Sequence, residues 1–213
     1  MSRGHYFEAD PAASSAPRQV ELALPDLHLR LWTDRGVFSP DHVDTGTRVL
    51  LSVAPSLPPE GTFVDVGCGY GPIALAMARR SPGATVWAVD VNARARELCG
   101  RNAVEAGCPD VVVAAPDEVP DDLVVDRIWS NPPVRIGKAA LRDLLEGWLG
   151  RLAPTGVAHL VVQKHLGADS LAAWLTERGW AVRRVASRQA FRVLEVRAGG
   201  DDDVADLDED ASS

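Results

Sequence analysis

Apolar and polar residues largely alternate along residues 19–24 and 27–32, and the turn-forming pair Pro25-Asp26 separates the two stretches. This period of two predicts an antiparallel β-hairpin near the N-terminus. From about residue 60 onward, short runs of apolar and β-branched residues alternate with stretches of helical periodicity. Strands that alternate with helices predict an α/β domain whose sheet is mainly parallel.

The pattern places each element between recognisable breaks in the chain. Ser39-Pro40 is typical of a helix start, with serine as the N-cap and proline in the first turn. Helices are predicted within 45–54, 73–80, 93–106, 139–152 and 170–177, and strands at 61–66, 84–89, 110–115, 124–130, 157–163, 180–185 and 191–197. The last two strands are expected to pair as an antiparallel hairpin.

Acidic residues are concentrated at the C-terminal end of the sequence, and this affects which binding partners suit the rest of the chain. Residues 201–213 hold seven acidic and no basic residues, which predicts a disordered tail. Without the tail, the remaining chain has a net charge of −1 in place of −8. A nucleic-acid partner is therefore not excluded. We expect three parts: an arm, hairpin and helix at 1–55, the main α/β domain at 56–198, and the acidic tail at 199–213.

Several classes of protein are disfavoured by what the sequence lacks. Its apolar runs are too short for a membrane span, and the N-terminus has no apolar region typical of a secretory signal. The three cysteines, Cys68, Cys99 and Cys108, lack C-x-x-C spacing, and the five histidines are scattered. We therefore expect a cytoplasmic protein with no bound metal and no membrane partner.

A glycine-rich turn follows the first strand of the main domain. Gly67, Gly69 and Gly71 form G-x-G-x-G, two residues after Asp65. Such glycines let a ligand approach the backbone near a helix N-terminus. The dinucleotide pattern G-x-G-x-x-G would need a glycine where Pro72 stands. G-x-G-x-G after an acid instead resembles motif I of the class I S-adenosylmethionine (SAM) methyltransferases. An ordinary tight turn is the simpler alternative.

An acidic residue ends the next predicted strand, about 20 residues beyond the glycines. Asp90 follows the apolar run 84–89. A carboxylate at this position can accept hydrogen bonds from both ribose hydroxyls of a nucleoside. Because ligands of doubly wound sheets bind at the carboxyl ends of the strands, Asp90 and the glycines are expected to share one site.

The sequence Asn131-Pro132-Pro133 follows the predicted strand 124–130. The two prolines fix the backbone, and both residues that precede a proline are held extended. The Asn131 side-chain oxygen and the Pro132 carbonyl can then each accept a hydrogen of an exocyclic amino group and orient its nitrogen for methyl transfer. A strand simply terminated by prolines is the structural alternative.

These motifs, together with flanking stretches, resemble the "methyltransferase small" family, which includes guanine-N2 methyltransferases of 16S ribosomal RNA. The additional likenesses are at 5–7, 14–15, 33–39, 43–47 and 163–168. The resemblance implies a doubly wound, seven-stranded Rossmann-like sheet, SAM as cofactor and RNA as partner. It implies Asn131, Pro132 and Pro133 as catalytic residues, with the cofactor held by Asp65, Gly67, Gly69, Gly71, Asp90, Asp117 and Asn131.

The chain departs from the family immediately after Asn-Pro-Pro. Family members often carry an aromatic residue there that stacks on the target base, and this chain has Val134. The stacking face is then either absent or supplied from elsewhere in the chain, for which Phe38 and Tyr6 are candidates. Arg135 and Lys138 flank the same loop and are candidates for contacts with phosphates. Asp44 and Thr47 are candidates to border the methionine end of SAM, or simply to cap a helix.

Four functions remain to be compared. The first is SAM-dependent N-methylation of RNA, most specifically at guanine N2 of 16S ribosomal RNA. The second is methylation of a protein glutamine, which also presents an amide NH₂. The third is a SAM- or RNA-binding scaffold without turnover, and intact Asn-Pro-Pro argues against it. The fourth is an NAD-dependent dehydrogenase, and Pro72 argues against that.

Overall fold

A computed structural model describes residues 14–199 of the chain. Its strands are β1 (Arg18–Leu24), β2 (Leu27–Thr33), β3 (Glu60–Val66), β4 (Gly83–Val89), β5 (Val112–Ala114), β6 (Val125–Ser130), β7 (Leu152–Gln163), β8 (Trp180–Arg188) and β9 (Phe191–Ala198). Its helices are α1 (Thr45–Val53), α2 (Pro72–Arg80), α3 (Ala93–Glu105), α4 (Lys138–Leu149) and α5 (Ala168–Glu177). Tyr6 and the acidic residues from 201 onward lie outside the described residues.

Seven strands form one sheet in the order β5-β4-β3-β6-β7-β9-β8, and β1 and β2 form a separate antiparallel hairpin. Neighbouring strands from β5 to β7 are parallel, while β9 is antiparallel to both β7 and β8. The strand order reverses at β3: the chain continues to β4 and β5 on one side of β3 and then returns to β6 and β7 on the other side. This confirms the doubly wound, mainly parallel sheet and the N-terminal hairpin expected from the sequence.

The helices cover both faces of the sheet, and each face has its own apolar core. One core joins residues of α1, α2 and α3 to the hairpin, and the other joins residues of α4 and α5 to the opposite face. Phe63 and Val64 are consecutive in β3, are both fully buried, and belong to different cores. Because successive side chains of a strand point to opposite faces, a central strand buried on both sides is expected to be mainly apolar, and Asp65 is the buried exception in β3.

Two boundaries predicted from the sequence are wrong. Ser39 does not cap a helix: its hydroxyl donates to the His42 carbonyl in a turn, and α1 begins later, with Asp44 as N-cap. Leu152 was assigned to the helix before it, but α4 ends at Leu149 and Leu152 pairs with Val125. Sequence pattern alone cannot distinguish the last apolar residue of a helix from the first apolar residue of a buried strand.

A row of polar side chains crosses the sheet beneath α1 and α2. Asp65, Trp129, His159 and Glu195 occupy successive registers on β3, β6, β7 and β9. The His159 side chain is 1% exposed, and its Nε2 lies 3.3 Å from Glu195 Oε2. Burial lowers the pKa of His159 to about 4, against the attraction of Glu195. The imidazole is therefore neutral in the folded protein at neutral pH.

We expect stability to fall in mild acid because of His159. An unfolded histidine titrates near about 6.5, so between about pH 6.5 and 4 the unfolded chain binds the extra proton. The free energy of unfolding should be unaffected by this group above that range, and should drop by about 2–3 kcal/mol across it. Urea unfolding at several pH values measures the drop. The matched variant His159→Gln cannot titrate, and an equally steep profile in that variant would contradict the assignment.

Candidate active site

The glycine loop presents bare backbone at the carboxyl edge of the sheet. The Gly67 and Cys68 N–H groups donate to the Val89 carbonyl at 2.8 and 3.0 Å, which ties the loop to β4. Gly67 and Gly69 have φ angles of 76° and 55°, which other residues rarely adopt. A Cβ added at Gly69 would meet no atom within 4 Å, so the loop faces open space there. A ligand can therefore approach the main chain closely.

Two residues predicted to bind the cofactor lie behind this loop, outside the set that lines the cleft. The fully buried Asp65 accepts a hydrogen bond from the Ala74 N–H at 2.9 Å, and burial raises the pKa of its carboxyl group well above the usual value. Gly71 has a φ of 96°, and a Cβ there would come within 2.7 Å of Cys99 Sγ. Both residues shape the turn between β3 and α2.

Asp90 lines the cleft at the end of β4. Its carboxylate accepts hydrogen bonds from the Gly69 N–H at 2.8 Å and the Asn92 N–H at 2.9 Å, one on each oxygen. Burial raises the pKa of Asp90, and these N–H groups oppose that shift. Each carboxylate oxygen has a further lone pair available. A pair of acceptor oxygens beside an open glycine backbone fits the ribose hydroxyls of a nucleoside, which donate to them.

Asn131 follows β6, and its amide is held in one orientation. Its Nδ2 donates to Asp44 Oδ2 at 2.7 Å and to Thr47 Oγ1 at 3.2 Å. A carboxylate can only accept, so the amide nitrogen must face Asp44 and the amide oxygen must face away from it. The same Asp44 oxygen also accepts from the Thr47 N–H at the start of α1. The Asn131 side-chain oxygen is thereby left available as an acceptor at the edge of the cleft.

The prolines after Asn131 form a short turn rather than an open extended segment. The Pro132 carbonyl, which was expected to be bare, accepts a hydrogen bond from the Val134 N–H at 2.8 Å. It retains one lone pair for another donor. The Pro133 carbonyl likewise accepts from the Ile136 N–H at 3.1 Å. Both prolines line the cleft, and Pro133 Cδ lies 3.8 Å from the position of a Cβ on Gly67.

Apolar side chains complete the cleft walls. Three of the large apolar residues that the described chain exposes lie here: Phe38, Val91 and Leu166, which are 40%, 42% and 48% exposed. Gln163, at the end of β7, and Phe191, at the start of β9, also line the cleft. A site with exposed apolar walls and a few fixed polar groups is typical of a small-molecule or nucleoside site.

The remaining predicted residues are distributed around the rim. Arg135 lines the cleft, while Lys138 is exposed at the start of α4 and does not line it. Asp117 is exposed in a short 3₁₀ turn beside the lining residue Pro116, and does not line the cleft itself. Its assignment to the cofactor therefore remains a prediction.

Exposed cations surround the mouth of the cleft. Lys164 follows the lining residue Gln163, and Arg188 pairs in register with the lining residue Phe191. Neither of them, nor Arg135 or Lys138, forms an ion pair with a carboxylate in the part of the chain that the structure describes. Elsewhere some arginines are paired, such as Arg80 with Asp26 and Arg101 with Glu105, while the exposed Arg48, Arg79 and Arg184 also have no carboxylate partner among the described residues. The rim thus offers charge for an anionic partner.

Sequence reasoning missed Phe191, Gln163 and Leu166 as cleft residues, and gave Asp44 no contact with Asn131. A signal for Phe191 was present in the predicted pairing. An antiparallel last strand begins where the parallel strands end, so its first residue must lie at the carboxyl edge. The 87-residue separation between Asp44 and Asn131 left no local pattern to detect.

Comparison with known proteins identifies a family. Residues 28–195 match the family model of the methyltransferase small domain. The chain is 32% identical to the uncharacterised YbxB protein of Bacillus subtilis, over 91% of this chain and 98% of that protein. It is 30% identical to ribosomal RNA small subunit methyltransferase C of Shewanella amazonensis, over 86% of this chain and 53% of that protein.

A solved structure shares the fold. The 16S rRNA N2 G1207 methyltransferase (RsmC) of Thermus thermophilus, in complex with AdoMet and guanosine, superposes with a TM-score of 0.73 at 23% identity. The superposition covers 88% of this chain and 52% of that structure. The chain thus spans about half the length of the named ribosomal RNA methyltransferases that it matches. In the described residues, no helix is both long and apolar enough to cross a membrane.

Proposed function

The chain belongs to the methyltransferase small domain family and is thereby a SAM-dependent methyltransferase, and we propose that it methylates an exocyclic amino group of RNA, specifically guanine N2 in 16S ribosomal RNA. The observation that carries this proposal is the orientation of Asn131. Its amide nitrogen is occupied by Asp44 and Thr47, so its oxygen is the end available to a substrate.

An exocyclic amino group has two hydrogens, and the motif offers two acceptors for them. The Asn131 oxygen takes one, and the remaining lone pair of the Pro132 carbonyl takes the other. With both hydrogens held by the protein, the nitrogen lone pair is aimed in a single direction. Bound SAM supplies an electrophilic methyl group on a sulfonium sulfur. The contribution of these residues is orientation, which is among the larger sources of rate enhancement available to an enzyme.

The cofactor is assigned to the loop side of the same cleft. Gly67 and Gly69 expose backbone there, and the Asp90 carboxylate is held in place by two backbone N–H groups. We assign the ribose hydroxyls of SAM to Asp90, and the rest of the nucleoside to the exposed face of Val91 and the adjoining Pro116. Asp65 and Gly71 support this loop from behind and make no direct contact in the proposal.

The rim supports RNA over a protein as the substrate. Four exposed cations without carboxylate partners in the described residues surround the mouth: Arg135, Lys138, Lys164 and Arg188. The chain has no other lysines than these two, and both are at this edge of the sheet. Arg and Lys contacts to phosphates account for most of the affinity of nonspecific nucleic-acid binding. A rim of this kind suits a phosphodiester backbone better than an uncharged glutamine loop.

The choice of guanine N2 in 16S ribosomal RNA is supported by the relatives. Curated relatives at 30–31% identity are named ribosomal RNA small subunit methyltransferase C. The Thermus thermophilus enzyme with the same fold was solved with guanosine. Guanine has an exocyclic amino group of the kind that Asn131 and Pro132 are placed to hold.

Methyl transfer from tritiated SAM tests the proposal. The full chain is incubated with small ribosomal subunits, with free 16S RNA and with peptide release factors, and the RNA and protein are separated before counting. We expect label in the RNA, and nucleoside digestion should place it on N2-methylguanosine. Label in protein would support the glutamine hypothesis instead, and label in an adenine or cytosine nucleoside would retain RNA methylation but contradict the guanine assignment.

A further inference from the structure

The base-stacking position of this cleft is not filled by the residue after Asn-Pro-Pro. That residue is Val134, which has no aromatic face and starts the 3₁₀ turn Val134–Ile136. Among the described residues that line the cleft, the aromatic ones are Phe38, Trp148 and Phe191. A nucleobase held beside Asn131 gains affinity from stacking on such a face. The question is therefore which of the three rings lies at the substrate end.

Two of the rings are placed less well for this role. Trp148 is 7% exposed within a core, and the Arg151 guanidinium lies 5.2 Å from its ring centroid. Phe38 is exposed, but it is shared between the main cleft and a small adjoining cavity that the glycine loop, Tyr70 and Asn131 also line. Phe191 lines the main cleft and not that cavity, and β-sheet pairing with Gln163 fixes its backbone.

A single glycine connects Phe191 to the catalytic amide. A Cβ built on Gly46 would come within 2.8 Å of Phe191 Cε1 and within 2.9 Å of Asp44 Oδ2. That same Asp44 oxygen accepts the hydrogen bond from Asn131 at 2.7 Å. The ring edge and the carboxylate thus both border the space that a side chain at Gly46 would occupy. Gly46 lies in the first turn of α1 and has no positive φ, so space is what this position requires.

We propose that Phe191 supplies the aromatic face on which the target base stacks, in place of an aromatic residue at Val134. The inference rests on the proposed function, because it needs a nucleobase as substrate. The backbone of Phe191 is fixed by its pairing in β9, and its ring edge packs beside Gly46, so little side-chain freedom is lost when a base binds. Its position relative to Asn131 would place the base plane and the amide acceptor in one fixed arrangement.

The test compares Phe191→Leu with Phe191→Tyr on the RNA that the wild type methylates. Stacking of one base accounts for about a 5- to 100-fold difference in affinity. We expect the leucine variant to raise the KM for RNA by about tenfold, with the tyrosine variant near wild type. SAM affinity and melting temperature should be unchanged in both, since leucine preserves most of the apolar volume.

Gly46→Ala provides an independent variant, because it adds a methyl group where the ring edge and the carboxylate meet. We expect a raised KM and a lowered kcat because the methyl group displaces the ring and the carboxylate, and the helix preference of alanine offsets only part of the loss of thermal stability from that overlap. Equal KM values for Phe191→Leu and wild type would overturn the inference, as would a KM effect confined to Phe38→Leu. A wild type that methylates no RNA would overturn the proposed function itself, and the stacking role with it.

Discussion

Replacing Asn131 with alanine should lower kcat at least about 100-fold, because a displacement of the reacting atom by about 1 Å is enough for a loss of that size. The variant removes one of the two acceptors for the amino group and the direction that it imposes. SAM affinity should change far less, because the cofactor contacts proposed for Asp90 and the glycine loop are untouched. Steady-state kinetics on the identified RNA, with calorimetry of SAM binding, separates the two effects.

The contact with Asp44 allows a sharper version of this experiment. Asn131→Asp would place a carboxylate where Nδ2 now lies 2.7 Å from Asp44 Oδ2, and two like charges at that distance repel. We therefore expect Asn131→Asp to be poorly active, although aspartate is nearly isosteric. Adding Asp44→Asn restores a donor opposite the new carboxylate. It also keeps the helix cap, since asparagine and aspartate cap equally well.

The double variant should thus recover part of the activity that Asn131→Asp loses, even though it carries one more change. Such recovery is not expected if Asp44 acts only on α1 stability or only on the cofactor. Thr47→Ser, which keeps the hydroxyl, serves as the conservative control. Near-normal turnover in Asn131→Ala would place the catalytic acceptor elsewhere in the cleft and would contradict the mechanism.

Asp90→Ala should weaken SAM binding by at least about tenfold, and by more if both ribose hydroxyls lose their acceptor, because hydrogen bonds to charged groups contribute about 1.5–3 kcal/mol each. The glycine loop would also lose a hydrogen bond, since the Gly69 N–H donates to this carboxylate at 2.8 Å. Isothermal titration calorimetry with SAM measures the change. Asp90→Asn keeps one oxygen acceptor and should lose less than alanine does.

A matched surface acid controls for the loss of charge. Asp122 is exposed and does not line the cleft, so Asp122→Ala removes the same charge without touching the proposed ligand. Its SAM affinity should equal that of the wild type. If Asp90→Ala binds SAM as tightly as Asp122→Ala does, the ribose assignment is wrong and the nucleoside must bind in another orientation.

The features that could be predicted from the sequence are those whose signal lies within a few consecutive residues. The glycine loop, Asp90 and Asn131 each stand at the end of an apolar run, so one strand prediction placed each of them at the same edge of the sheet. The doubly wound sheet followed from the alternation of strands and helices. The roles assigned to these residues remain predictions, but their convergence on one cleft is a property of the structure.

What the sequence could not supply depends on contacts between distant segments. The orientation of the Asn131 amide is determined by Asp44, which belongs to the loop before α1. Nothing local distinguishes Asp44 as an ordinary helix cap from Asp44 as the partner of a catalytic amide. At Asp65 the motif implied a ligand contact; the structure shows a carboxylate buried against α2, and its role toward the cofactor remains a prediction. The burial of a side chain and the direction in which it points are tertiary properties, and neither can be inferred from the spacing of a motif.

Among the described strands, β9 comes last along the chain but does not lie at the edge of the sheet, because it lies between β7 and β8. A chain that is still being synthesised can form β3 to β7, with the glycine loop and Asn131, before β9 exists. Strand β8 is complete earlier but has no neighbour until β9 inserts beside it. The wall that begins at Phe191 is therefore added last, after the methyl-donor side is already formed.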